Sequence, residues 1–129
     1  MSVQNTLSFT LVQLDSLGNT MARRAFAVTD DVATVGEFRS GTLITTAEAT
    51  IGLPILQPRQ IMLRNTHSTA KILVKWTPFG GAEATVTTLG PGAAIALWDP
   101  TAAGTAIGIS SLKLTADTAN TTYEMFLGG

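Results

Sequence analysis

Apolar and polar residues alternate with a period of two along much of the chain, which is the pattern of β-strands that bury one face. In residues 71–77, the side chains of Ile72, Val74 and Trp76 fall on one face of the predicted strand. Similar alternation occurs near the start of the chain and in two segments near its end. We therefore predict strands in the following segments: 6–14, 21–28, 42–46, 60–64, 71–77, 84–89, 93–98, 111–116 and 121–127.

Short turn sequences separate these strands. Gly90-Pro91-Gly92 precedes the strand at 93–98, and further Gly, Pro, Asp or Asn residues lie at 15–19, 78–81 and 117–120. Glycine adopts positive φ and proline fixes its own φ, so both residue types favour turns. Many short strands at a spacing of about 8–12 residues predict an all-β fold. We expect an antiparallel β-sandwich of about eight or nine strands, for which a jelly roll is one arrangement.

The chain shows no linker, internal repeat or second domain, so we expect residues 1–129 to form a single β-sandwich domain. Residues 1–14 are expected to form an N-terminal strand or arm. We interpret segment 29–41 as a long loop or a short helix, and segment 99–108 as a loop covered by other residues. Pro54 and Pro58 indicate that residues 51–60 form a connection, because proline is poorly tolerated inside a central strand.

Ionic residues are scarce in this chain. Eight Lys and Arg residues face nine Asp and Glu residues, and the net charge is -1. Charged residues make up 13% of the chain, whereas ordinary soluble domains contain about 25%. This balance provides no basic patch for nucleic acid, and a net charge near zero favours association. Because interface centres are poor in charge, we infer that partner chains cover much of the surface.

Three further features narrow the class of protein. The chain contains no cysteine, which excludes disulfides and thiolate metal sites. The first residues show no basic run followed by an apolar segment, so we expect no signal peptide. The sequence contains no stretch of about 18 uninterrupted apolar residues, so we expect no membrane span.

Candidate catalytic and metal-binding residues are few. His67 is the single histidine, and it lies in a polar segment between two predicted strands. We interpret it as an exposed turn residue rather than a general base or a metal ligand, because such segments lie on the surface. Asp30 and Asp31 are adjacent and would point to opposite faces of a strand. We interpret them as a solvated turn, with a calcium site as the alternative.

The sequence offers no other catalytic pattern. It leaves open a glycosidase-type pair among four scattered glutamates but does not favour one: Glu37, Glu48, Glu83 and Glu124. It contains neither the G-x-S-x-G motif of a serine nucleophile nor the spacing of a phosphate-binding loop. We therefore expect a protein that is not an enzyme and has no catalytic residue, bound metal or cofactor.

Aromatic residues provide one binding alternative. Trp76, Phe79 and Trp98 could form a sugar-stacking platform, which would make the protein a carbohydrate-binding module. The competing interpretation places Trp76 in the core and Trp98 at the end of a strand. We adopt the second interpretation, because no cluster of polar residues accompanies the aromatic ones.

The first two predicted strands contain the candidate protein interface. Leu7, Phe9 and Leu11 share one face of the first strand, and Arg23 and Arg24 stand side by side in the second. Exposed strand edges pair between chains, and arginine pairs with carboxylates at protein interfaces. We expect these five residues to contribute to contacts with other protein chains.

From about residue 59 to residue 128, the chain resembles small β-sandwich structural proteins of tailed bacteriophages. The resemblance rests on QIMLRNTHSTAKILVKW, TTLGPGAAIALW and SSLKLTADTANTTYEMFLGG, which follow one another in this order. It implies a virion protein made in the host cytoplasm, namely a capsid decoration or cement protein on the capsid exterior. A tail, neck or head-fibre component is the alternative.

The same resemblance implies partners. They are the major capsid protein and further copies of the chain, as a homodimer or homotrimer. Neither nucleic acid nor a membrane is implied as a partner.

Overall fold

The computed structural model describes residues 3–32, 36–99 and 108–129, and these ranges are all-β, which confirms the predicted fold class. No helix within them is long and apolar enough to cross a lipid bilayer. The strands in the described ranges are β1 (Val3–Leu14), β2 (Thr20–Val32), β3 (Glu37–Leu43), β4 (Ala49–Ile51), β5 (Gln60–Asn65), β6 (Ile72–Pro78), β7 (Ala84–Leu89), β8 (Ala94–Trp98), β9 (Ile109–Ala116) and β10 (Thr121–Gly128).

Eight of these strands form a sandwich of two four-stranded sheets. One sheet has the strand order β3-β10-β5-β8, and the other has the order β4-β9-β6-β7. Every neighbouring pair of strands is antiparallel. Successive strands cross between the two sheets at every connection except the one from β6 to β7. This is the strand order of a jelly roll.

The core lies between the two sheets, where alternate residues of each strand point inward. Ile72 and Val74 of β6 and Leu112 and Leu114 of β9 are fully buried there. Trp76 packs against the same cluster. Burying one such aliphatic side chain stabilises the fold by about 1.5–3 kcal/mol. The period-two alternation in β6 and β9 therefore reflects burial between the sheets.

Strands β1 and β2 form a separate two-stranded sheet, which we call the arm. They pair antiparallel along their whole length, and neither forms a backbone ladder with another strand of the described residues. A strand of 12 residues is about 40 Å long. Most side chains of the arm are exposed, so the arm projects from the sandwich and does not complete its core. The described part of the expected arm, residues 3–14, is thus one strand of a hairpin that ends at Val32.

The structure corrects the expectation for segment 29–41. Residues 29–32 belong to β2 and residues 37–41 to β3, so all of the described part of this segment except Gly36 is strand. Residues 33–35 lie outside the described residues. Glycine and charged residues concealed β3 in the sequence, because β3 is an edge strand and Glu37 and Arg39 form an exposed ion pair.

Two further strand predictions need correction. The strand predicted at 42–46 ends at Leu43, where β3 ends, and Ile44 is exposed. The sequence pattern also misses β4, whose three residues are too few for a recognisable alternation. Residues 52–59 contain no strand, as their prolines predicted. Most of the loop predicted at 99–108 lies outside the described residues.

Candidate functional site

One face of the arm is apolar and largely exposed. The strand register places Leu7 opposite Val28 and Phe9 opposite Phe26 on this face, and the two phenyl rings are 4.9 Å apart. Leu11 continues the face towards the tip of the arm. Leu11 is 71% exposed and Phe26 is 57% exposed. Exposed apolar surface of this extent is typical of a binding site, and we call these five residues the apolar face.

The two arginines of the arm point to opposite sides of the hairpin. Arg24 lies opposite Leu11 on the apolar face, and Arg23 lies opposite Val12 on the other face. Both side chains are exposed, and neither forms an ion pair with another described residue. Each guanidinium is therefore available for a bidentate contact with a carboxylate of a partner. The structure thus places all five sequence-predicted interface residues on the arm. Leu7, Phe9 and Leu11 belong to the apolar face, Arg24 lies on the same side of the hairpin, and Arg23 lies on the opposite side.

A buried polar cluster joins the base of the arm to the sandwich. Arg59 Nη1 lies 3.1 Å from Asp30 Oδ2, and the two side chains are only 5% and 8% exposed. Gln60 Nε2 donates a hydrogen bond of 2.8 Å to the same carboxylate oxygen. Asn5 Nδ2 in turn donates to Gln60 Oε1 at 2.7 Å. We call these four residues the base cluster, and their contacts fix the direction in which the arm leaves the sandwich.

The base cluster corrects the interpretation of Asp30. This carboxylate lies within β2 and is buried, so it is not part of a solvated turn. Its ion pair with Arg59 takes the place of a cation. The described residues contain no group of three or more His, Asp or Glu side chains that could hold a metal ion.

A groove of about 290 Å³ lies where the arm meets the outer face of the sheet β3-β10-β5-β8. The rings of Phe38 and Phe126 are 4.6 Å apart on this face, and Trp98 stacks on Phe126 at 5.6 Å. Leu7 of the arm and Met62 of β5 also line the groove. None of the residues that line the groove is charged. The apolar face of the arm is therefore continuous with the aromatic residues on the outer face of the sheet.

The carboxylate of Asp15 stabilises the turn between β1 and β2 at the tip of the arm. Asp15 Oδ1 accepts hydrogen bonds of 2.9 Å from the backbone N–H groups of Leu17 and Asn19. Asn19 Nδ2 donates to Asp15 Oδ2 at 3.2 Å. Gly18 has a φ of 84°, which glycine adopts at little cost. The hydrogen bonds from Asn19, and then that from Leu17, hold the pKa of Asp15 below its ordinary value.

Acidification is expected to loosen this turn. A depressed pKa means that the charged carboxylate stabilises the turn above the ordinary pKa of aspartate, and that this contribution is lost as the pH falls through the pKa of the folded state. NMR should show an upfield shift of the Leu17 and Asn19 amide protons on acidification, because their hydrogen bonds to the carboxylate weaken when it is protonated. The Asp15→Asn variant should lack this acid-dependent step. An identical step in that variant would assign the titration to another group.

His67 has a structural role in the turn between β5 and β6. Its Nδ1 accepts hydrogen bonds from the backbone N–H groups of Thr69 and Ala70, at 3.2 and 3.0 Å. These two hydrogen bonds hold the imidazole ring against the backbone of the turn. The histidine lies in a turn, as its sequence context predicted, although its side chain is only partly exposed.

The four scattered glutamates are engaged in surface ion pairs. Glu37 pairs with Arg39 and Glu124 with Arg64, whereas Glu48 and Glu83 both contact Lys113. The hydrogen bond from Arg39 lowers the pKa of Glu37, and that from Lys113 lowers the pKa of Glu83. A glycosidase general acid needs a raised pKa, so these two carboxyls are poorly suited to that role.

The aromatic residues considered for sugar binding lie in different sheets. Trp76 belongs to β6 and packs against the core from the inner face of its sheet. Trp98 ends β8 and stacks on Phe126 on the outer face of the other sheet. Phe79 lies in the turn after β6. The structure therefore does not bring the three rings into one platform.

Comparisons with known proteins do not indicate the class of this protein. No family model, no curated protein and no solved structure matches the chain.

Proposed function

We propose that the protein is a non-enzymatic structural protein of a tailed bacteriophage, a decoration or cement protein that binds the outside of the head. Its partner is the major capsid protein, and the contact is made by the apolar face of the arm. The protein stabilises the shell by linking neighbouring capsomers. This role requires neither catalysis nor a cofactor.

The exposed apolar face is the observation that carries the proposal. A two-stranded hairpin is marginally stable on its own in water, and it gains stability when its apolar face packs against another surface. An arm of about 40 Å reaches well beyond the sandwich. Such a reach allows the sandwich to rest on one capsomer while the arm contacts the next.

The low charge of the surface and the repetition of contacts on a capsid lattice support a role as a decoration protein. A surface poor in ionic groups loses its bound water at a small cost in free energy, and charged residues are depleted at interface centres. On a capsid lattice each contact is repeated many times, so modest individual affinities combine through multivalency. The resemblance of residues 59–128 to phage structural proteins motivates the choice of lattice. Jelly rolls also occur in viral capsid domains, but a fold alone does not define a function.

The proposal is tested on particles of the phage that encodes the chain. Heads and tails are separated on a density gradient, and the bound protein is quantified by mass spectrometry. We expect the protein in the head fraction in a fixed ratio to the major capsid protein. Its presence in the tail fraction alone would favour a tail, neck or fibre component, and its absence from both would rule out a virion role.

A pair of matched variants tests the face of the arm. The double substitution Arg24→Ala and Phe26→Ser changes the apolar face on β2 and is expected to weaken binding to undecorated heads at least tenfold. The double substitution Val12→Ser and Arg23→Ala changes the opposite face and should bind like the wild type. Equal loss in both variants would contradict the assignment of binding to the apolar face.

A further inference from the structure

The outer edge of β1 is a long strand edge without the usual protection against pairing. No strand in the described ranges pairs with this edge, and the 12 residues of β1 include neither a charged residue nor a proline. Natural proteins protect exposed edges with charges, prolines, bulges or short strands. Strand β3 follows this rule with Glu37 and Arg39, and β4 is only 3 residues long. The edge of β1 is therefore suited to accept another strand.

The residues of β1 are arranged as an approximate palindrome about Phe9. Leu7 and Leu11 stand two residues to either side of Phe9, and Ser8 and Thr10 stand one residue to either side. The outer pairs match in the same way: the β-branched residues Thr6 and Val12, and the amides Asn5 and Gln13. Reversing the direction of this segment therefore leaves its chemical pattern almost unchanged.

We propose that β1 pairs antiparallel with β1 of a second copy of this chain, about a two-fold axis that passes through Phe9. In this register Phe9 meets its own copy, Leu7 meets Leu11, and Ser8 meets Thr10. Side chains directly opposite one another in an antiparallel pair share a face. Apolar residues consequently meet apolar residues on one face, and hydroxyl groups meet on the other. The interface is isologous, as closed two-fold dimers require.

A second copy fits this edge because of the palindrome and the charges of the arm. Pairing through β1 creates a four-stranded sheet in the order β2-β1-β1-β2, and sheets of three or more strands with an apolar face have the stability that a lone hairpin lacks. The edge of β2 is less suited to pairing, because the strand carries the charged residues Arg23, Arg24 and Asp30, and charges are one of the features that protect natural strand edges from pairing.

The dimer does not depend on binding to a capsid. The apolar face of both arms stays on one side of the four-stranded sheet, where it is free to contact a third protein. The oligomeric state of the purified protein therefore tests the β1 interface, whereas binding to heads tests the proposed function. Each result can fail without the other.

Two variants of opposite charge test the register of the proposed β1–β1 pair. The variant with Ser8→Lys and Thr10→Lys places like charges opposite one another across the axis, and the variant with Ser8→Glu and Thr10→Glu does the same with acids. Within the arm these positions face only Ala27 and Ala25. We expect the wild type to show twice the mass of the 13.5 kDa chain in size-exclusion chromatography with light scattering. Each variant should dimerise at least about tenfold more weakly, and an equimolar mixture of the two should recover the dimer.

The matched control places the same charges on the neighbouring strand. The variant with Ala25→Lys and Ala27→Lys changes the same face of the arm on β2, one strand away from the β1 edge, and should remain dimeric. A monomeric or trimeric wild type would overturn the proposal. So would a lysine variant that stays dimeric, a mixture that fails to recover, or a control that dissociates. Circular dichroism should show an unchanged β-sandwich in every variant.

Discussion

Replacing Asp30 with alanine is expected to destabilise the protein by about 3–5 kcal/mol, because it removes the carboxylate that pairs with the buried Arg59 guanidinium. Both side chains are almost completely buried, and the carboxylate oxygen that contacts Arg59 also accepts the hydrogen bond from Gln60. Arg59 also donates hydrogen bonds to the backbone oxygens of Asp99 and Gly129, so the guanidinium keeps part of its hydrogen bonding in the variant. Urea unfolding monitored by circular dichroism measures the loss.

An exposed ion pair provides the control for this prediction. Arg64 and Glu124 are 3.4 Å apart, and their side chains are 54% and 44% exposed. Glu124→Ala should change the free energy of unfolding by no more than about 1 kcal/mol, because water screens such pairs. A loss as small as this in Asp30→Ala would show that the base cluster is hydrated.

A double variant separates the loss of the ion pair from the loss of packing. Asp30→Leu combined with Arg59→Met replaces both charges by apolar side chains, and such exchanges are often neutral or stabilising. We expect the double variant to be more stable than Asp30→Ala. Failure to recover any stability would mean that the hydrogen bonds to Gln60 and the two backbone carbonyls contribute more than the ion pair does.

The sandwich could be predicted from the sequence where a strand has one face in the core and one in solvent. Ile72, Val74 and Trp76 of β6 show this alternation clearly, and all three turn inward. Strand β3 was not predicted in full, because its glycine suggested a loop. Gly41 sits where the ring of Tyr123 would collide with any added side chain, so the residue that suggests a loop instead makes room for a cross-strand contact.

The role of the arm could be predicted only in part. Leu7, Phe9 and Leu11 alternate with polar residues just as the core residues of β6 do, because alternation shows that a face is apolar but not what covers it. In the structure Leu11 on this face is 71% exposed and Phe9 is 37% exposed, whereas the core residues of β6 lie between two sheets. The expectation of an N-terminal arm depended on the low overall charge and on the availability of a strand edge for pairing.

The base cluster could not be recognised in the sequence. Asp30 and Arg59 are far apart in the chain, and Asn5 and Gln60 are even more distant. Each is a common surface residue type, and nothing in the local pattern distinguishes it from a solvated side chain. These four residues meet only in the folded protein, where the base of the arm contacts the start of β5. Long-range polar pairing of this kind requires the three-dimensional structure.

Replacing Leu114 with alanine is expected to destabilise the protein by about 2–5 kcal/mol. Its side chain is fully buried between the two sheets, so the substitution removes apolar contacts and leaves a cavity that the sheets fill incompletely. Leu17→Ala at the tip of the arm serves as the matched control. Leu17 is 85% exposed, and its truncation should change the free energy of unfolding by about 0.5 kcal/mol or less.

The comparison of these two variants separates the roles of the sandwich and the arm. Urea unfolding should shift strongly for Leu114→Ala and hardly at all for Leu17→Ala. If Leu17→Ala lost as much stability, the tip of the arm would have to pack against apolar surface in solution. If Leu114→Ala lost little, the two sheets would have to close over the missing side chain. Either outcome would contradict a stable sandwich that presents an exposed arm to its partners.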